Sequence, residues 1–156
     1  MKLVFVGDTF VGKSSIILTW TQEKFPALHE PTVLDSWTGT KQYKGSEVVL
    51  TIFDTAGHDD LGRIRPIAYN GADCFIVCYA VNDRNSFKNA STKWLQEIKN
   101  CAQAAPCILV GTKSDLRNEA DERLVEEMKV DGSSKVNPNQ FVSQEELMDH
   151  ARKYNF

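Results

Sequence analysis

Four runs of the chain are apolar and rich in β-branched or aromatic residues: KLVFV at 2–6, EVVLTIF at 47–53, CFIVCYAV at 74–81 and CILVG at 107–111. The first and the last two are apolar without interruption, the pattern of strands covered on both faces. A weaker strand is expected at TGTKQY (38–43), where Lys44-Gly45-Ser46 then turns the chain into the next run as a hairpin. Between these runs the periodicity becomes helical. One helix is expected over 13–22, directly after a glycine-bearing loop. Over 84–102, Phe87, Ala90, Trp94, Ile98 and Cys101 recur at spacings of three and four, one apolar stripe. Over 119–129, Ala120, Leu124, Val125 and Met128 share a face beside acidic residues. The SQEE start of 143–154 pairs Ser143 with Glu146 as a capping box. Strands alternating with helices predict an α/β fold with a mostly parallel sheet, in a single domain over 1–156. Such sheets bind ligands beyond the carboxyl ends of their strands.

Composition excludes several classes. Eighteen basic against 21 acidic residues leave a net charge of −3, so nothing electrostatic argues for nucleic acid or an anionic membrane. No apolar run approaches the ~20 residues that span a bilayer, and the first residues lack the charged and apolar regions of a secretory signal. Cys74, Cys78, Cys101 and Cys107 contain no C-x-x-C pair, which fits buried thiols in a reduced, cytoplasmic chain.

The chemistry is concentrated in loops at the strand ends. GDTFVGKS (7–14) matches G-x-x-x-x-G-K-[ST] between a strand and a helix. Main-chain N–H groups along Phe10, Val11, Gly12, Lys13, Ser14 and Ser15, opening a helix, form an anion cradle. Lys13 is placed to reach β- and γ-phosphates, and the Ser14 hydroxyl to bind Mg²⁺. The bland alternative is a glycine turn with a solvated lysine. DTAG (54–57) offers Asp54 at a strand end for the outer coordination of Mg²⁺, and Gly57, whose N–H can approach a phosphate closely. Alone that motif is weak, but downstream of a phosphate loop it gains force.

TKSD (112–115) supplies Thr112, Lys113 and Asp115. An aspartate there accepts two hydrogen bonds from the N1–H and 2-amino groups of guanine. Adenine has neither donor, and a desolvated carboxylate left unpaired costs a few kcal/mol. Lys113 is placed along the base. FPALHEPTV (25–33) contributes Thr32, a Mg²⁺ ligand when a γ-phosphate is present, and Phe25, which can pack against the base. The plainer readings are a capping threonine and a core phenylalanine.

Together with FPALHEPTVLD, GRIRPIAY (62–69), KWLQEI (93–98) and PCILVGTKSDLR (106–117), these loops resemble the Rho family within the Ras superfamily of small GTPases. The resemblance implies a Ras-like P-loop GTPase fold, a six-strand, mostly parallel sheet with helices on both faces. The last strand and helix of that fold are not in this chain, which stops at HARKYNF. Further implications are GTP/GDP and Mg²⁺ binding, a signalling switch in actin regulation, and a Rho-type insert at 118–140. Exchange factors, GTPase-activating proteins and effectors are the implied partners, the effectors reading residues 23–37 and 57–68. Membrane attachment would require a lipidated C-terminus absent here. The acidic insert helix is either a solvated face or a partner surface.

Departures from the family pattern bear on rate. Thr9 stands where members carry a second glycine, and His58 where they carry the glutamine that positions water. Thr9 crowds the γ-phosphate and the space for an arginine finger, a group worth ~10³–10⁵ in rate. With Lys13, these two form the expected catalytic group, and both changes predict slow hydrolysis. The alternative is a GTP-held binding module. In a counter-reading, His58 orients water once a partner docks, as the histidine of translation-factor GTPases does. His29 replaces a tyrosine that covers the phosphates in relatives. Trp94 and Trp20 are expected in packing, Trp37 in the core or a partner contact, and His150 in solvent.

Overall fold

The computed structural model describes residues 1–27, 32–102, 105–131, 137 and 140–156, with backbone alone for 121 and 124–131. His29 lies outside the described residues, as do the side chains of Leu124, Val125 and Met128. Strand β1 (Lys2–Gly7) leads through a loop into α1 (Lys13–Gln22), and β2 (Leu34–Tyr43) and β3 (Ser46–Thr55) form a hairpin. A 3₁₀ turn (Asp59–Leu61) and the short α2 (Arg65–Tyr69) precede β4 (Cys74–Ala80). Next, α3 (Arg84–Asn89) passes through a π-helical turn (Ala90–Trp94) into α4 (Leu95–Cys101). The chain closes with β5 (Cys107–Thr112), α5 (Ser114–Asp131) and α6 (Gln144–Tyr154).

The described sheet has five strands in the order β2-β3-β1-β4-β5, with only the β2–β3 pair antiparallel. Register aligns the functional ends: Phe5 pairs with Asp54, Gly7 with Cys78, and Ala80 with Thr112. The loops after β1, β3 and β5 therefore open along one edge. Successive β1 side chains serve opposite layers. Val4 and Val6 join Phe75, Val77, Trp94 and Ile98 on one face. Phe5 joins Ile17 of α1, Val11 and Ile52 on the other. Trp94 is completely buried, and Trp20 and Trp37 pack at the margin of the second cluster. At the sheet edge, β5 leaves Ile108 half exposed.

Four expectations change. β2 begins at Leu34 rather than Thr38, because its ladder with β3 continues to the Leu34–Thr55 pair. α5 begins at Ser114, directly out of the TKSD motif, with Asp115 in its first turn where a carboxylate complements the helix dipole. The apolar stripe over 84–102 does not reach Cys101, which is exposed; Leu95 is buried instead. The π-helical turn takes an extra residue, so steps of three and four drift off the core face. His150 is half-buried between Phe87 (centroids 4.3 Å apart) and Tyr154 (4.6 Å), and burial lowers its pKa. The Ser143–Glu146 capping box of α6 forms in full. All four cysteines are free, with Cys74 and Cys78 buried.

Candidate nucleotide-binding site

The loop between β1 and α1 is shaped by where side chains cannot go. A Cβ on Gly7 would stand 2.3 Å from the Cys78 carbonyl oxygen. Gly12, at φ 95, ends the loop and caps α1 without any side-chain hydrogen bond. The first turn of α1 contains no acidic residue, so its amides are not answered by a carboxylate of their own helix. Phe10 sits at φ 63, in the left-handed region, and is exposed.

Lys13 is 6% exposed, and its Nζ donates to the carbonyls of Gly7 (3.0 Å) and Asp8 (2.9 Å). Burial lowers its pKa, opposed chiefly by the nearby Asp54 carboxylate. The ammonium is thus held against the loop by main-chain acceptors. Beside it, the Ser14 and Thr32 hydroxyls lie 2.9 Å apart, and Thr32 donates to Asp54 Oδ2 at 3.1 Å. Asp54 is fully buried, its Oδ1 has no partner, and burial raises its pKa. Two hydroxyls beside a carboxylate that keeps one oxygen without a partner are hard oxygen donors, and they fit Mg²⁺. Ser14, Thr32 and Asp54 are the residues that would hold it.

Three adjoining cavities run along this edge. One of about 240 Å³ is bounded by Thr9, Phe10, Lys13, Ser14, Thr32, Gly57 and His58, among others. A second, also about 240 Å³, lies between Phe10, Gly12, Lys13, Ser14, Ser15 and Lys113. The third, about 690 Å³, is lined by Gly12, Ser15, Trp20, Phe25, Thr112, Lys113, Asp115 and others. Phe25 is 71% exposed there, so it is not a core residue. Asp115 is exposed at the start of α5, and Lys113 turns the chain toward it at φ 57. The Thr112 hydroxyl sits between the carbonyls of Val11 and Tyr79, joining the end of β5 to the phosphate loop. His58 is exposed, with Nδ1 3.3 Å from Asp60 Oδ2. The sequence-picked residues border this run of cavities, except Asp54, which is fully buried behind the Thr32 hydroxyl, and Val11, whose side chain is core.

Two anchoring residues escaped the sequence. Asp8 accepts from the Trp94 indole and from Asn89 Nδ2, both at 2.7 Å, which ties the phosphate loop to the π-helical turn. Arg65 is 3% exposed and donates to the carbonyls of Ala56 (3.2 Å) and His58 (2.8 Å). The only signal for Arg65 was a charged residue inside an otherwise apolar stretch, Ile64 to Ala68.

The Ras family sequence model matches residues 2–155. The chain is 40% identical over 122 residues to the Ras-like GTP-binding protein RHO1 of Entamoeba histolytica, covering 78% of this chain and 57% of that protein. It is 39% identical over 125 residues to the Ras-like GTP-binding protein RhoL of Drosophila melanogaster (80% and 66%). It is also 37% identical over 139 residues to the GTP-binding protein Rho1 of Kluyveromyces lactis (89% and 66%). The chain thus spans 57–66% of the length of these relatives. Matched along nearly all its residues, and similar to proteins that bear Rho names, the chain belongs to the Ras family.

Proposed function

We propose that the chain is a Rho-like guanine-nucleotide switch that binds GTP or GDP with Mg²⁺ and hydrolyses GTP slowly. One observation carries the reading: Ser14, Thr32 and Asp54, whose Oδ1 has no partner, converge beside buried Lys13, at the other end of the same run of cavities from Asp115. Lys13 and the α1 amides would bind the phosphates. Asp115 would select guanine through its N1–H and 2-amino donors, Lys113 would lie along the base, and Phe25 would cover it. Mg²⁺, when bound, would neutralise phosphate charge.

Slow turnover is supported by Thr9 and His58, which line the same small cavity where the γ-phosphate and attacking water must fit. A second reading, a GTP-held binding module, rests on the same two residues. Exposed Phe25, Val33 and Ile67 fall in or beside the segments 23–37 and 57–68, suited to effectors, exchange factors and GTPase-activating proteins. Control of actin and a cytoplasmic location follow from the Rho likeness. Among the described residues no helix is long and apolar enough to cross a membrane. The deciding experiment is uptake of labelled nucleotide by the purified chain with Mg²⁺. Retention of guanine nucleotides over adenine ones is expected; equal uptake, or none, overturns the proposal.

A further inference from the structure

GRIRPIAY and KWLQEI, some 30 residues apart, meet beneath the His58 loop. Arg65 supplies Nε and Nη2 to the two oxygens of Glu97, at 2.9 and 2.8 Å, a bidentate pair. Tyr69 donates its hydroxyl to Glu97 Oε1 at 2.6 Å. The guanidinium lies 4.8 Å from the Trp94 ring centre. Although burial alone would raise the Glu97 pKa, hydrogen bonds from Arg65 and Tyr69 hold it below its ordinary value. A charge as deeply buried as Arg65 persists only when paired and fully hydrogen-bonded. This seat pairs the charge with Glu97 and bonds all three nitrogens, Nη1 going to the carbonyls of Ala56 and His58.

Those two carbonyls flank Gly57. A trans peptide is planar, and its N–H points opposite its C=O. Pulling the Ala56 carbonyl toward Arg65 therefore turns the Gly57 N–H the other way. The His58 carbonyl is fixed by the same nitrogen, so the histidine is held from its own main chain. Trp94, which the guanidinium covers, also donates to Asp8, next to Thr9. One helical turn thus braces both loops that border the small cavity.

We propose that Arg65 is a positioning residue: seated on Glu97, Tyr69 and Trp94, it aims the Gly57 amide and fixes the His58 backbone. Its catalytic consequence rests on the reading of that cavity as the γ-phosphate site.

Hydrogen exchange on the full chain tests the positioning without any need for turnover. Glu97→Gln keeps the volume of the side chain, and Tyr69→Phe removes only one donor. In Glu97→Gln, exchange in segment 56–62, where Leu61 and Gly62 amides bond to His58 and Asp59 carbonyls, should quicken about tenfold. Tyr69→Phe should give a smaller change of the same sign, and β4 amides should keep their protection in both. Unchanged exchange at 56–62, or protection lost equally in β4, overturns the proposal, the latter because the pair would then support the whole fold. In a second arm, single-turnover phosphate release from GTP should fall about tenfold in Glu97→Gln while nucleotide release stays within twofold. Equal losses in both rates count against positioning. A parent chain that takes up no guanine nucleotide sinks the functional reading, and the exchange arm alone then decides the role of Arg65.

Discussion

Gly57 lies flush against Thr9: a Cβ built on Gly57 would stand 2.3 Å from the Thr9 backbone nitrogen. That distance is far inside van der Waals contact, and the obstacle is main chain. Gly57→Ala must push the two loops apart. Affinity for a non-hydrolysable GTP analogue should fall at least tenfold, and GDP affinity much less. Competition binding with a fluorescent guanine nucleotide measures both, and equal losses would refute this account of the contact.

Thr9→Gly combined with His58→Gln restores space and a water-orienting amide to the small cavity. Single-turnover hydrolysis should rise by about tenfold or more, with each single change giving less than the pair. An unchanged rate in the double variant would show that neither residue limits the reaction.

Under the proposed function, Asp115→Ala leaves the two guanine donors without their acceptor. Each hydrogen bond to a charged group is worth about 1.5–3 kcal/mol, so losing both should drop guanine affinity by about a hundredfold or more. Discrimination against adenine nucleotides should fall with it, and parallel titrations with both nucleotides would reveal the change.

Metal removal should act through Asp54. Chelating Mg²⁺ should accelerate nucleotide release from the parent chain. Release from Asp54→Asn should already be fast and insensitive to chelator. In the nucleotide-free protein without Mg²⁺, the same variant should melt close to the parent, because exchanging a buried, partnerless charged oxygen for a neutral amide offsets the attraction to Lys13 that is lost. A large drop in melting temperature would contradict that.

Glu97 sets a pH dependence. Its folded pKa lies below its ordinary value of 4.5. The stabilisation is therefore complete above about pH 4.5 and is lost as pH falls through the folded value. Glu97→Gln should cost roughly 1–3 kcal/mol at neutral pH, and the gap to the parent should narrow below pH 4.5. Urea unfolding across pH 3–7 checks this; a constant gap would mean the carboxylate charge plays no part.

Much of the fold was legible because burial is written into composition. Uninterrupted runs such as CFIVCYAV admit little besides an interior strand, and GDTFVGKS carries its own geometry in Gly7 and Gly12. The misses share a cause. The early start of β2 is decided by the partner strand, which lies more than ten residues away in the chain. The loss of Cys101 from the apolar stripe follows from a π-helical turn that no spacing rule anticipates. Arg65 and Asp8 were invisible as anchors because their meaning depends on Glu97 and Trp94, brought near only by tertiary packing. Motifs that meet a ligand are local in sequence, whereas the groups that steady them are not.

The Thr112 hydroxyl has one proton for the carbonyls of Val11 and Tyr79, and it ends the strand that leads to Asp115. That single knot leaves little slack between the end of the trough proposed to recognise a base and the end proposed to grip a charged tail. A purine seated badly at one end would drag its anionic end out of register. Under the proposed function fidelity and grip are therefore set together, and a change that loosens the knot should make the protein both weaker in its hold and more careless in its choice.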